Sequence, residues 1–298
     1  MAADSDIQSP IERDAVPTTR SNDIQESAPQ DIAPGAISDA PKVNSPTAGR
    51  YITVTFVDSP SPTPTPSGPE ARTPLTHFGR QQAEALGKEW ASVRIDQIHS
   101  SPLERAHDTA KALAAHNIHH PKIVLDELLV EQDHGPSVAR YLRVGIFDAA
   151  ARERWGPRSG DRSYRPPGGE SLNHVANRGL LSLSKYILKR SVQLTEEPDL
   201  STLPTDCQVG DLPEGIPHHV IVSHNIFLCE LHDLFVSWNL PQHRTSTGSF
   251  ENTGWTRYLL CYDEKADCGA DASSYASQSI RGSMQIRVMK PLGDYSFY

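Results

Sequence analysis

Two neighbouring runs constrain this chain more than anything else in it: Leu75-Thr-His-Phe-Gly79-Arg-Gln-Gln-Ala83 and Ser100-Ser-Pro-Leu-Glu-Arg105-Ala-His-Asp-Thr109-Ala. Their spacing predicts a helix, a short strand and a second helix, with Arg105 delivered where strand turns into helix. A guanidinium there offers five donors in a fixed fork, which suits bidentate binding of a phosphate. The bland alternative is a surface arginine on an amphipathic helix.

The flanking sequence fills in an alternating pattern. Arg50-Tyr-Ile-Thr-Val-Thr-Phe-Val57 is rich in β-branched and aromatic residues and predicts a strand. It is followed by an extended loop, because Pro60, Pro62, Pro64 and Pro66 forbid regular pairing. Thr76 is placed as a helix N-cap and Pro102 at a first helical position. Further strands are predicted over 95–100, 122–125, 219–223 and 254–262, with a weak one over 284–289. Helices are predicted over 138–155, 172–189 and 226–238, and polar insertions over 156–169 and 196–217. Strands alternating with helices imply an α/β three-layer sandwich with a mostly parallel central sheet. No internal repeat is present.

Composition sets the outer limits. The hydrophobic fraction of 37% is low, and the first aromatic residue is Tyr51. Residues 1–49, rich in Ser, Pro, Ala and Asp, cannot bury enough apolar surface to offset ordering entropy, and are read as a disordered acidic tail. A domain over 50–265 and a partly ordered C-terminal extension over 266–298 complete the expected organisation. The acidic start is unlike a mitochondrial presequence, and no apolar run has the length of a signal core or a membrane span. The expectation is a cytoplasmic protein with no membrane partner. A net charge of -9 argues against a nucleic-acid binder but leaves room for a small anionic ligand held by local arginines. The four cysteines show no metal-type spacing and are read as free thiols.

In an open α/β sheet, ligands sit beyond the carboxyl ends of the strands. Three such ends carry polar groups: Asp58-Ser59, Ser100 to Arg105, and Ser223-His224-Asn225. His224 precedes a helix N-terminus, a favourable place for an anion, although a hydrogen-bonded core histidine would look the same. Glu131 stands in Val130-Glu-Gln-Asp-His-Gly135, where a carboxyl group could protonate a leaving oxygen or simply be solvated. Ser171, after Gly168-Gly-Glu170, is a natural helix cap.

Taken in order, these segments resemble the histidine phosphatase superfamily, in its phosphoglycerate-mutase-like branch. The Leu75-Thr-x-x-Gly79-x-x-Gln82-Ala83 run is similar to its Leu-Thr-x-x-Gly-x-x-Gln-Ala signature, and Ser101-Pro-Leu-x-Arg105-Ala-x-x-Thr109-Ala to its phosphate-arginine helix. Glu131 to Gly135, Gly169-Glu170-Ser171 and Val222-Ser-His224 resemble its acid loop, its Gly-Glu-Ser turn and its second-histidine strand. The resemblance implies phosphomonoester hydrolysis through a phosphohistidine, on a small phosphorylated ligand, without metal or organic cofactor. It implies Arg105 and His224 as phosphate ligands, Glu131 and His224 in the catalytic machinery with Glu131 as general acid, and Ser171 as an auxiliary donor.

One part of the pattern is missing. The family's first strand ends in Arg-His-Gly, which supplies the nucleophile and one phosphate arginine. Here Val57 runs into Asp58-Ser-Pro, and neither His nor Arg occurs from Tyr51 until Arg72. His77 falls at a position the family leaves variable, and Asn225 stands where it usually has glycine. Loss of a nucleophile from a cooperative site costs on the order of 10⁶ in turnover. Either the chain is a non-catalytic, phosphate-binding or scaffolding relative, or a misassigned exon boundary has replaced the Arg-His-Gly segment. An aspartate nucleophile of the haloacid-dehalogenase type, at Asp58, would need a second carboxylate where Pro60 stands.

Overall fold

The structure is a computed structural model that describes residues 49–60, 74–136, 161–204, 207–238, 249–262 and 284–292. The tail over 1–49, but for its last residue, and the helix expected over 138–155 lie outside the described residues.

Strand β1 (Gly49–Asp58) is buried along almost its whole length and forms the spine of the sheet. It pairs in parallel with β5 (His218–Ser223), and beyond β5 lie β2 (Gln97–Ser100) and β3 (Lys122–Leu125), all parallel. On its other side run β6 (Trp255–Tyr262) and then β7 (Met284–Lys290), both antiparallel, while the short β4 (Val192–Leu194) pairs with the start of β1. The parallel part is therefore β3-β2-β5-β1, and the antiparallel strands extend it. Sequence could not foresee this split, because buried strands of either kind read as the same apolar run.

Alternation along β1 separates two layers of core. Ile52, Val54 and Phe56 pack with α3 (Leu172–Ser182) and α4 (Asn225–Val236), together with Val175, Leu180, Phe227 and Leu231. Val57, Val220 and Val222 join the opposite layer, with α1 (His77–Glu89) and α2 (Glu104–His116). Helices on both faces of one sheet make the expected three-layer α/β sandwich.

Local signals account for most of the helix ends. Thr76 caps α1, accepting from Gly79 N at 2.7 Å. The start of α2 differs from expectation: the helix begins at Glu104, and Pro102 lies two residues before it. The chain must first leave β2, and Ser101 N bonds Val222 O at 3.0 Å, prolonging the ladder past the strand. At Gly87 an added Cβ would come within 2.6 Å of Ala112 O, so this glycine sets how closely α1 and α2 approach. Among the described residues no helix is long and apolar enough to cross a membrane.

The polar insertion before β5 is tied down by a buried cation. Arg257 on β6 is fully buried, donates to Thr55 Oγ1 at 3.0 Å, and reaches the carbonyls of Gln208, Val209 and Asp211 at 2.9–3.1 Å. Its guanidinium also lies over the Trp255 ring at 4.8 Å. Carbonyls that water would otherwise satisfy are thus held by one side chain.

The sheet also encloses several imidazoles. His99 and His219 stack with ring centroids 5.3 Å apart and share a 3.1 Å contact between Nε2 and Nδ1. Burial lowers their pKa values to about 4 and about 3, and that of His232 to about 4. Burial takes His218 and His224 well below the ordinary 6.5 as well. The unfolded chain takes up protons near 6.5 while the native state resists, so stability is full above that pH and falls as pH drops toward 4. Asp58 and Glu230, whose pKa values burial raises, act in the opposite sense, but they are two groups against six, since burial also lowers His107. Each uncompensated histidine contributes a slope of about 1.4 kcal/mol per pH unit. The urea midpoint is expected to hold level above neutrality and fall steeply between roughly pH 6.5 and 4.5. A level midpoint across that interval would refute the assignment.

Candidate functional site

The carboxyl ends of β1, β2, β3 and β5 meet at one corner, and the connections leaving them carry the candidate residues. Arg105 lies in the first turn of α2, after β2, and is buried. His224 follows β5 and is the N-cap residue of α4, buried with 2% exposure. Glu131 comes from the loop after β3. Asp58 and Ser59 end β1.

Glu131 is brought to His224 by a long-range cap. His224 makes no side-chain cap of its own. Instead Glu131 Oε1 accepts from Phe227 N at 3.1 Å, and Oε2 from Ile226 N at 3.3 Å. Oε1 also accepts from Gln132 N at 2.8 Å. The positive end of α4 and two of its unsatisfied N–H groups therefore hold this carboxylate at the start of the helix that follows His224.

The loop bearing Glu131 is built together with the Gly-Glu-Ser turn. Glu170 N donates to Asp133 O, Gln132 Nε2 donates to Glu170 O, and Asp133 N donates to Glu170 Oε2, at 2.6–3.1 Å. The backbones are too close for side chains: a Cβ at Gly169 would lie 2.5 Å from Asp133 O. One at Gly135, where φ is +75°, would lie 2.3 Å from Pro167 O. Arg178 on α3 locks the pair, gripping Glu170 through two bonds at 3.0 and 3.1 Å and donating to the carbonyls of Leu128 and Glu131.

His224 stands between two serines. Its Nδ1 is 3.2 Å from Ser59 Oγ and its Nε2 is 2.8 Å from Ser101 Oγ. Burial, then the charges of Arg105 and Arg178, depress its pKa, so the ring is neutral and carries one N–H. Asp58 is 3% exposed, and its Oδ1 is buried with no hydrogen-bond partner among the described residues. Burial and the nearby charge of Glu131 push its carboxyl well above the usual range, while Arg105 pulls the other way.

The residues proposed from sequence thus divide. Arg105, Glu131 and His224 converge. Ser171 lies at the start of α3, where its hydroxyl accepts from His174 N at 3.3 Å and contacts His174 Nδ1 at 2.7 Å, so it is engaged as a cap. His77 is an exposed residue at the start of α1. Arg178 escaped the sequence reading, because its partners are backbone carbonyls and a glutamate outside the i,i+4 spacing that marks helical ion pairs. The contact of Ser59 with His224 was equally invisible, since it depends on strand register. No group of three or more metal-ligating side chains occurs among the described residues. A cavity of about 610 Å³ opens beside β6 and β7, lined by Gln82, Glu89, Asn252, Trp255 and Lys290 among others. None of the residues gathered around His224 lines it.

A parallel sheet with an arginine, a histidine and a carboxylate at its strand ends defines an α/β domain with an oxyanion-type corner. Residues 67–191 match the model of the histidine phosphatase superfamily (branch 1). It is 30% identical over 168 residues to fructose-2,6-bisphosphatase TIGAR B of Danio rerio, covering 52% of this chain and 62% of the relative. Against fructose-2,6-bisphosphatase TIGAR of Xenopus tropicalis it is 35% identical over 109 residues, 35% of this chain and 37% of that protein. The chain thus spans less than two thirds of these relatives. In structure it superposes on mycobacterial glucosyl-3-phosphoglycerate phosphatase with a TM-score of 0.56 at 20% identity, covering 82% of this chain and 100% of the other. A second solved structure, mycobacterial hydrolase 2, gives a TM-score of 0.55 at 19% identity, covering 83% and 94%.

The long-range cap is open to test. Removing a capping acceptor typically costs ~1 kcal/mol, up to ~2. Glu131→Ala is expected to lower the urea-derived stability by about that much, and Glu131→Gln, which keeps one acceptor oxygen, by less. Equal losses in the two variants would show that the carboxyl oxygens do not hold the helix.

Proposed function

We propose that this domain binds phosphate monoesters at the corner formed by Arg105, His224 and Glu131, as a histidine phosphatase whose first-strand route to phosphohistidine is closed in the chain as it stands. The observation that carries the reading is the convergence of those three residues, remote in sequence, at the carboxyl ends of parallel strands. Arg105 supplies a forked pair of donors to the phosphoryl oxygens. His224, neutral and with a single N–H, adds a donor or an acceptor according to its tautomer. Glu131, at the start of the same helix, occupies the position that the family resemblance gives to the general acid. Ser171 acts through the α3 cap that fixes the turn carrying Glu170. The ligand class is a small phosphorylated molecule, in keeping with relatives named as bisphosphatases and as a glucosyl-3-phosphoglycerate phosphatase.

A non-catalytic binder is favoured over a working phosphatase by one specific observation. The place beside His224 at the end of β1 holds Ser59, and no histidine comes from that strand.

Titration calorimetry with orthophosphate and with vanadate tests this directly. Binding to the full chain is expected, and Arg105→Ala should weaken it about 10–100-fold, the loss of charge-assisted bonds worth ~1.5–3 kcal/mol. Turnover of an aryl phosphate should remain far below a working phosphatase. Arg105-independent binding would overturn the site, and rapid vanadate-sensitive turnover would overturn the closed route.

A further inference from the structure

We infer that Ser59 is the phosphoryl acceptor of this site, its hydroxyl held 3.2 Å from His224 Nδ1 at the end of the central strand. The inference rests on the phosphate-binding reading of the same corner. Asp58 pairs with Ser223, and Ser59 N donates to Ser223 O at 3.0 Å, so the ladder runs one residue past β1. Ser59 therefore arrives alongside His224 by strand register and not by a chance loop excursion.

His224 is taken in the tautomer with its proton on Nε2. Ser101 Oγ accepts from Leu103 N at 3.3 Å and lies 2.8 Å from His224 Nε2, where it takes up that proton's hydrogen bond. That leaves Nδ1 unprotonated, facing the Ser59 hydroxyl. A neutral imidazole accepting from a serine hydroxyl is the arrangement that activates serine as a nucleophile.

Asp58 points to what is bound. Its Oδ1 is buried without a partner among the described residues, beside a strand end that Arg105 also serves. An orphaned polar atom this deep calls for a ligand atom. Burial and Glu131 raise the Asp58 pKa, which favours its neutral form beside an anionic ligand.

The step balances as follows. The Ser59 oxygen bonds to phosphorus as the bond from phosphorus to the ester oxygen breaks. The serine proton passes to His224 Nδ1. The departing oxygen leaves as the phenolate of an aryl ester, or takes its proton from water. One phosphate monoester is exchanged for another, so the phosphoryl group remains on the serine instead of passing quickly to water.

The test is to incubate the full chain with an aryl phosphate and record its intact mass, with orthophosphate binding measured in parallel. One added phosphoryl group is expected, stable to acid and to hydroxylamine, mapped by fragmentation to Ser59. It should be lost in Ser59→Ala and in His224→Asn. Mapping on the unaltered chain keeps the test valid should either variant misfold. An acid-labile label on His224, a hydroxylamine-sensitive label on Asp58, or orthophosphate binding with no label would each overturn the serine assignment and leave the binding reading intact. Failure of orthophosphate to bind would overturn both.

Discussion

The parallel pairing of β1 with β5 is the constraint on which the rest depends. It runs through the middle of the sheet, carries the boundary between the two core layers, and ends with Asp58 opposite Ser223. Side chains alternate along a strand, so a slip of one residue would turn Ile52, Val54 and Phe56 into the wrong layer. Two cores of different shape, one against α3 and α4 and the other against α1 and α2, oppose any such slip. The same register that satisfies the cores brings Ser59 beside His224. Packing and site geometry are one fact here.

Around that axis, polar groups are held by partners from distant segments. Glu131 caps a helix that its own segment does not contain, and Arg178 joins the loop of Glu131 to the turn of Glu170. Glycine at 135 and 169 allows the two backbones to approach within hydrogen-bond range. The outcome is a corner in which the Glu131 carboxylate and the neutral His224 imidazole are each held by partners from distant segments. Asp58 and Ser59, at the end of β1, stand in the same corner. A buried acid next to Glu131 is unfavourable unless one of the two keeps its proton or a ligand compensates.

Much of the fold was legible along the chain because its signals are local. Thr76 marks a helix start through its own hydroxyl, and Ser171 does the same for α3. The apolar run 219–223 could only be a buried strand. The start of α2 was misjudged at Pro102 because the ladder contact of Ser101 with Val222, a tertiary bond, keeps the chain extended beyond β2. The antiparallel setting of β6 and β7 was hidden for a similar reason: strand direction leaves no mark on composition.

What the sequence determined by itself was the order of strands and helices, and a short set of residues whose chemistry suits a phosphoryl group. Periodicity, capping and motif order are written in neighbouring residues, and those can be read without coordinates. What only the tertiary structure decided was proximity: that Glu131 reaches the α4 N-terminus, that Arg178 grips its loop, and that Ser59 meets His224. Such contacts join segments far apart along the chain, and they follow from strand register and from how closely two backbones approach. Neither quantity is a property of any local run of residues.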